Sequence, residues 1–146
     1  MAIYTGSANL YTKFKLKLGQ AGINFDTATF KVRLTASAHT PDQQNHEFAD
    51  DLTNEVTGNG YAEQTVAVTW AQDGAICRLT VADPTFTASG GSIVFRRWHL
   101  ILDTGNDATS PLIAYGYGDA TPADITIGDT LSWSPDFSDV NGLFTI

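Results

Sequence analysis

With 146 residues, 8 Lys+Arg against 16 Asp+Glu and a formal charge of −8, the chain has the size of one domain that buries about 68–70% of its unfolded surface. The acidic balance argues against a nucleic-acid interface built on counter-ion release, and apolar runs of only a few residues exclude a membrane-spanning helix. One cysteine, Cys77, excludes an internal disulfide and reads as a small hydrophobe in a strand-like run.

Met1–Asn9 shows neither periodicity nor the basic and apolar regions of an export signal, and predicts a short N-terminal arm at 1–9 ahead of a domain at 10–146. In Lys13–Leu18, Phe14, Leu16 and Leu18 alternate with three lysines, which predicts a strand. Leu10, Tyr11, Phe14 and Leu18 also mark one face of a helix, but a helix would turn Leu16 to the polar side. Further strands are expected at Ala28–Thr35, Glu63–Trp70, Ala75–Val81, Ser92–Leu102, Leu112–Tyr117, Asp124–Ile127 with Thr130–Trp133, and Leu143–Ile146. Asp73-Gly74 predicts a tight hairpin between Glu63–Trp70 and Ala75–Val81, and Ile127–Thr130 a second short reversal. No helical period of useful length competes. The expectation is an all-β, single-domain antiparallel β-sandwich, jelly-roll-like.

Three groups of residues invite a chemical reading. Asp50, Asp51, Glu47 and Glu55, with Asp103 and Asp107 further on, are a calcium candidate or a carboxylate pair for glycoside hydrolysis; the plainer reading is a set of solvated acidic turns. Arg96-Arg97-Trp98-His99 is the one adjacent arginine pair in an acidic chain. Strand alternation puts Phe95, Arg97 and His99 on one face and Arg96, Trp98 and Leu100 on the other, so the four form no compact site; the choice lies between packed stems with solvated heads and a docking patch. Gly90-Gly91, Gly116 and Gly118 read as turns or bends, since no lysine or following helix completes a phosphate loop. No nucleophile elbow, zinc helix or paired Cys-x-x-Cys occurs, so the expectation is no catalytic residue, no metal site and no cofactor.

Ile23–Tyr61, which joins an alternating strand to Ala38–Asp42, His46–Leu52 and the glycine turn of Asn54–Tyr61, together with Asp103–Tyr115, resembles a group of small tailed-bacteriophage virion proteins. The two segments cover a third to a half of the chain. Members of that group tend toward a short helix near their start, where the alternation here predicts a strand. The resemblance implies a virion structural protein synthesised in the host cytoplasm. Compact size and an N-terminal arm favour a capsid decoration (cement) protein on the outer face of the head, a homotrimer partnered by the major capsid protein. A tail, fibre or baseplate protein that binds glycans through Tyr61, Trp70, Trp98, Tyr115, Tyr117 and Trp133 is the alternative, and a carbohydrate-active enzyme a third. Residues expected at a partner interface are Leu10, Tyr11, Arg96, Arg97 and Trp98.

Overall fold

A computed structural model describes residues 8–119, 122–137 and 143–145. In chain order the elements are β1 (Asn9–Leu10), α1 (Thr12–Gly19), β2 (Thr29–Thr35), β3 (Gln64–Val66), β4 (Val68–Asp73), β5 (Ile76–Val81), β6 (Phe86–Thr87), β7 (Ile93–Phe95), β8 (Arg97–Asp103), β9 (Leu112–Tyr117), β10 (Ile125–Ile127), β11 (Ser132–Trp133) and β12 (Phe144–Thr145), with single 3-10 turns at Ala49–Asp51 and Asp107–Thr109. All pairings are antiparallel. They build a five-stranded sheet in the order β1-β9-β8-β2-β3, a three-stranded sheet β12-β5-β4, and two ribbons, β10-β7 and β11-β6. The fold is mostly β and sandwich-like.

The alternation of β2 explains the core. Phe30, Val32 and Leu34 are buried on one face, and their partners on β8, Leu102, Leu100 and Trp98, lie on that same face. Phe25 stacks on Phe30 and on Trp70 of β4 at ring separations of 5.8 and 5.2 Å, which ties the large sheet to the smaller one. Phe14 and Phe144 extend this aromatic layer, and Phe86, Phe95 and Trp133 form another over the ribbons.

Two predicted strands are each divided between sheets. The run at Glu63–Trp70 becomes β3 and β4, which part at Ala67 to join different sheets. The run at Ser92–Leu102 becomes β7 and β8, with Arg96 at the break. The predicted Asp-Gly hairpin forms between β4 and β5, where Asp73 faces Ile76 and Gly74 has φ +62°. Positions 1–7 of the expected arm lie outside the described residues. Ala8 packs on the core and Asn9 pairs with Tyr115, so positions 8 and 9 belong to the domain.

Lys13–Leu18 is a helix, not a strand. The helix buries Tyr11 and Phe14 at the cost of leaving Leu16 56% exposed, and the large aromatic area gained outweighs one solvated leucine. Its C-terminus is closed by the pair of bonds Gly22 N–H to Lys17 O (2.8 Å) and Ala21 N–H to Leu18 O (3.2 Å), with Ala21 left-handed at φ +56°.

Gly116 faces Trp98 across β8 and β9, and a Cβ there would lie 2.5 Å from the indole ring. Its role is close approach, not bending. Gly116→Ala should therefore lower stability by about 1–3 kcal/mol through overpacking, read as a reduced denaturant midpoint. Ala21→Gly should raise it by about 0.5–1 kcal/mol by removing the left-handed Cβ penalty, read in the same experiment.

Candidate functional site

The second face of the five-stranded sheet carries the chain's polar chemistry. Thr35 faces Arg97, which faces Tyr117; one step along, Arg33 faces His99, which faces Tyr115. Cross-strand partners share a face, so these six side chains lie side by side. Thr35, Arg97 and His99 are buried, and Arg33, Tyr115 and Tyr117 are half-buried. The segment running from Ala36 past the 3-10 turn at Ala49–Asp51 crosses over this face, held by Ala36 N–H to Asn54 O (2.9 Å), Val56 N–H to Leu34 O (3.0 Å) and Ala49 N–H to Ser110 O (2.8 Å). Thr35, His39, Arg97 and His99 are all buried beneath it or within it.

Covering a polar face requires that its groups be satisfied internally. His99 Nδ1 lies 3.1 Å from the Tyr11 hydroxyl and Nε2 lies 2.9 Å from the Thr35 hydroxyl. A neutral ring thus accepts from one hydroxyl and donates to the other. Burial holds the His99 pKa well below its ordinary value, with the charges of His39 and Arg97 acting in the same direction. His39 Nδ1 accepts the Thr53 N–H at 3.2 Å. Its Nε2 then carries the proton, and it meets no hydrogen-bond partner among the described residues. The ring centroids of His46, His39 and His99 follow one another at 5.7 and 5.2 Å, so all three histidines of the chain stand in series.

Arg97 donates through Nη1 to the His39 carbonyl and lies over the Tyr117 ring at 5.2 Å. Among the described residues no carboxylate comes within ion-pair distance of it. A buried cation held by a carbonyl and a ring face is a structural device. Trp98, on the opposite face, is fully buried against Phe137 at 4.5 Å. The surface heads and docking indole expected at Arg97 and Trp98 are interior, because both faces of β8 are covered there. Tyr11 is likewise internal. Arg96 and Leu10 remain partly accessible: Arg96 pairs with Asp124 at 2.9 Å, and Leu10 lines a cavity at α1.

Where the cover ends, the same sheet face continues as an ionic margin. Glu63 Oε1 takes Lys31 Nζ at 2.7 Å and Oε2 takes Arg33 Nε at 2.7 Å. Asp103 also pairs with Lys31 at 3.0 Å, and Asp107 receives both terminal nitrogens of Arg33 at 2.9 and 2.8 Å. Hydrogen bonds from Arg33 hold the Asp107 carboxyl below its usual range; backbone and Lys31 bonds do the same for Asp103. Glu55 moves the other way, raised chiefly by burial while it accepts the Tyr61 hydroxyl at 2.8 Å. Asp51 accepts the backbone N–H groups of Glu47 and Phe48 at 2.7 and 3.1 Å. These acidic groups act as turn acceptors and ion-pair partners, and among the described residues no three metal-ligating side chains converge.

Cavities open at the surface among the described residues. One, of about 310 Å³, runs along Asp124–Gly128 and Leu131–Trp133. The other, of about 490 Å³, lies between Leu10, α1 and Phe144. The second was hidden from sequence reasoning because the helix that builds it was read as a strand. The six aromatic residues proposed for sugar stacking do not assemble: Trp98 and Trp133 are core, and Tyr61 stacks on Phe86. Comparison of the chain with protein-family models, curated proteins and solved structures finds no match.

The histidine series sets a pH dependence. Burial first, then the charges of His46 and Arg97, depress the His39 pKa from 6.5 to about 4. Above pH 6.5 neither folded nor unfolded His39 binds a proton; between that and about 4 the unfolded chain binds one that the folded chain refuses. Stability should fall across this window by about 3 kcal/mol for His39, with His99 acting in the same direction and the carboxylates of the ionic margin adding their own loss from about pH 5 downward. His39→Asn keeps an acceptor for the Thr53 N–H and should flatten that part of a pH series of denaturant midpoints. An unchanged slope would assign the acid sensitivity elsewhere.

Proposed function

We propose that the chain is a non-enzymatic structural protein of a tailed-phage particle, and within it a decoration protein seated on the outer face of the head with the major capsid protein as its partner. The observation that carries this reading is that the two segments resembling phage virion proteins fold onto one another. Phe48 bridges to Pro111, Leu112 N–H bonds Glu47 O at 3.0 Å, and Asp103 and Asp107 supply the partners of Lys31 and Arg33. The resemblance therefore follows one contiguous end of the molecule. Two of the three histidines are also engaged within the fold: His99 has both ring nitrogens hydrogen-bonded, and His39 Nδ1 is held by Thr53.

A decoration protein acts by mass action. Binding the expanded shell and not its precursor lowers the free energy of the expanded state by an amount that grows with free protein concentration. A homotrimer on the local three-fold positions fits that task, since cyclic symmetry presents identical contacts to symmetric subunits. A charge of −8 keeps the free protein from associating at random.

Purified protein added to expanded heads that lack it should bind to saturation and raise the temperature at which the heads open, while unexpanded heads take up little. Recovery of the protein with tails, or the absence of binding to heads in either state, would overturn the head assignment. A measured turnover on glycans, esters or peptides would overturn the structural one.

A further inference from the structure

Cations are scarce in this chain, and their placement singles out one surface. Of the eight Lys and Arg residues, six are held within the fold: Lys17 by Glu47, Lys31 by Glu63 and Asp103, Arg33 by Glu55, Glu63 and Asp107, Arg78 by Asp73, Arg96 by Asp124, and Arg97 by the His39 carbonyl. Among the described residues Lys13 and Lys15 have no ion-pair partner. Both lie on α1, and Lys15 forms part of the wall of the 490 Å³ cavity with Leu10, Phe14, Leu18, Gly19 and Phe144. Apart from that lysine the walls are apolar side chains and a glycine. An open apolar cavity with an uncompensated cation in its wall complements an apolar group that stands beside a carboxylate.

The cavity lies between two outer strands. β1 is the end of the five-stranded sheet and β12 the end of the three-stranded one, and α1 spans the gap between them. On β1 the outward Leu10 carbonyl is already taken by Gln43 Nε2 at 2.8 Å, so β12 is the outer strand left to offer main-chain donors and acceptors to an extended peptide, which sends alternate side chains into neighbouring pockets. We infer that the cavity walled by Leu10, Phe14, Lys15, Leu18 and Phe144 is a docking site for an extended acidic peptide segment of a partner protein, seating one bulky apolar side chain with a flanking carboxylate on Lys15. An anionic membrane would set an extended like-charged surface against the net charge of −8, whereas a short peptide segment brings its carboxylate to Lys15 alone.

The test uses the whole chain, isotope-labelled for NMR, and three short synthetic peptides. The first has a central Phe flanked by Glu, the second replaces that Phe with Ala, and the third replaces the Glu residues with Lys. The first peptide should shift the resonances of Leu10, Phe14, Leu18 and Phe144 and bind more tightly than either of the others. Lys15→Glu should weaken it by at least about fivefold, and added salt should weaken it as well. Lys13→Glu makes the same charge change on α1 at a residue outside the cavity wall, and should leave the affinity within about twofold, the range for a solvent-screened charge. Lys15 is exposed and unpaired, so both variants keep the fold, which their spectra report directly. Equal binding of the Phe and Ala peptides, or equal weakening by the two variants, would overturn the inference. So would tighter binding of laurate or of phosphatidylserine vesicles at the same residues, or self-association of the free chain that shifts them.

Discussion

Strand β8 is covered on both faces, and the rest of the molecule follows from that constraint. On one side Trp98 and Leu100 meet the apolar face of β2. On the other, Arg97 and His99 are sealed under the segment that follows β2. Apolar burial on the first side needs only shape and volume. The second side must give each donor and acceptor a partner, because an unsatisfied buried polar group costs about 1–3 kcal/mol. The Tyr11–His99–Thr35 chain and the carbonyl on Arg97 meet part of that demand, while Arg97 Nε and His39 Nε2 meet no partner among the described residues. A core with this much fixed hydrogen-bond geometry admits few alternative packings, which suits a domain that must present one rigid surface.

How much of this could be read in the sequence depended on whether an element's period was set locally. β2, β9 and the β4–β5 hairpin were legible because alternation and an Asp-Gly turn act over a few residues. α1 was not. Its lysine and leucine run satisfies both periods, and the deciding contacts come from distant Phe25, Phe144 and Tyr115. The short strands β1 and β6 carry too few residues to show a period, and the division of two long strands between sheets leaves no local mark.

The candidate sites divide in the same way. Alternation placed Arg97 and His99 on one face and Trp98 on the other, and that placement holds. Whether either face meets solvent is a tertiary fact, so the expected surface patch became interior. Acidic turns could be recognised by composition, while the reciprocal pairing of Lys31, Arg33, Glu63, Asp103 and Asp107 required the register of three strands. That Lys13 and Lys15 lack an ion-pair partner among the described residues is visible only after the other six cations have found theirs.

The pairing of β1 with β9 also bears on how the molecule comes into being. Asn9 reaches the backbone of Tyr115 across 106 residues of chain, and β2 waits for partners on β8 that lie 62 to 74 positions further on, from Thr35 with Arg97 to Thr29 with Asp103. On a ribosome, the first strand and helix emerge with no sheet to join, and the cover over the polar face has nothing yet to cover. Assembly of the central sheet is therefore a late event dominated by distant contacts, a topology associated with folding on the millisecond-to-second scale. Until then β2 displays an unpaired apolar edge, and the acidic charge that the finished protein wears on its surface serves earlier as protection for the nascent chain.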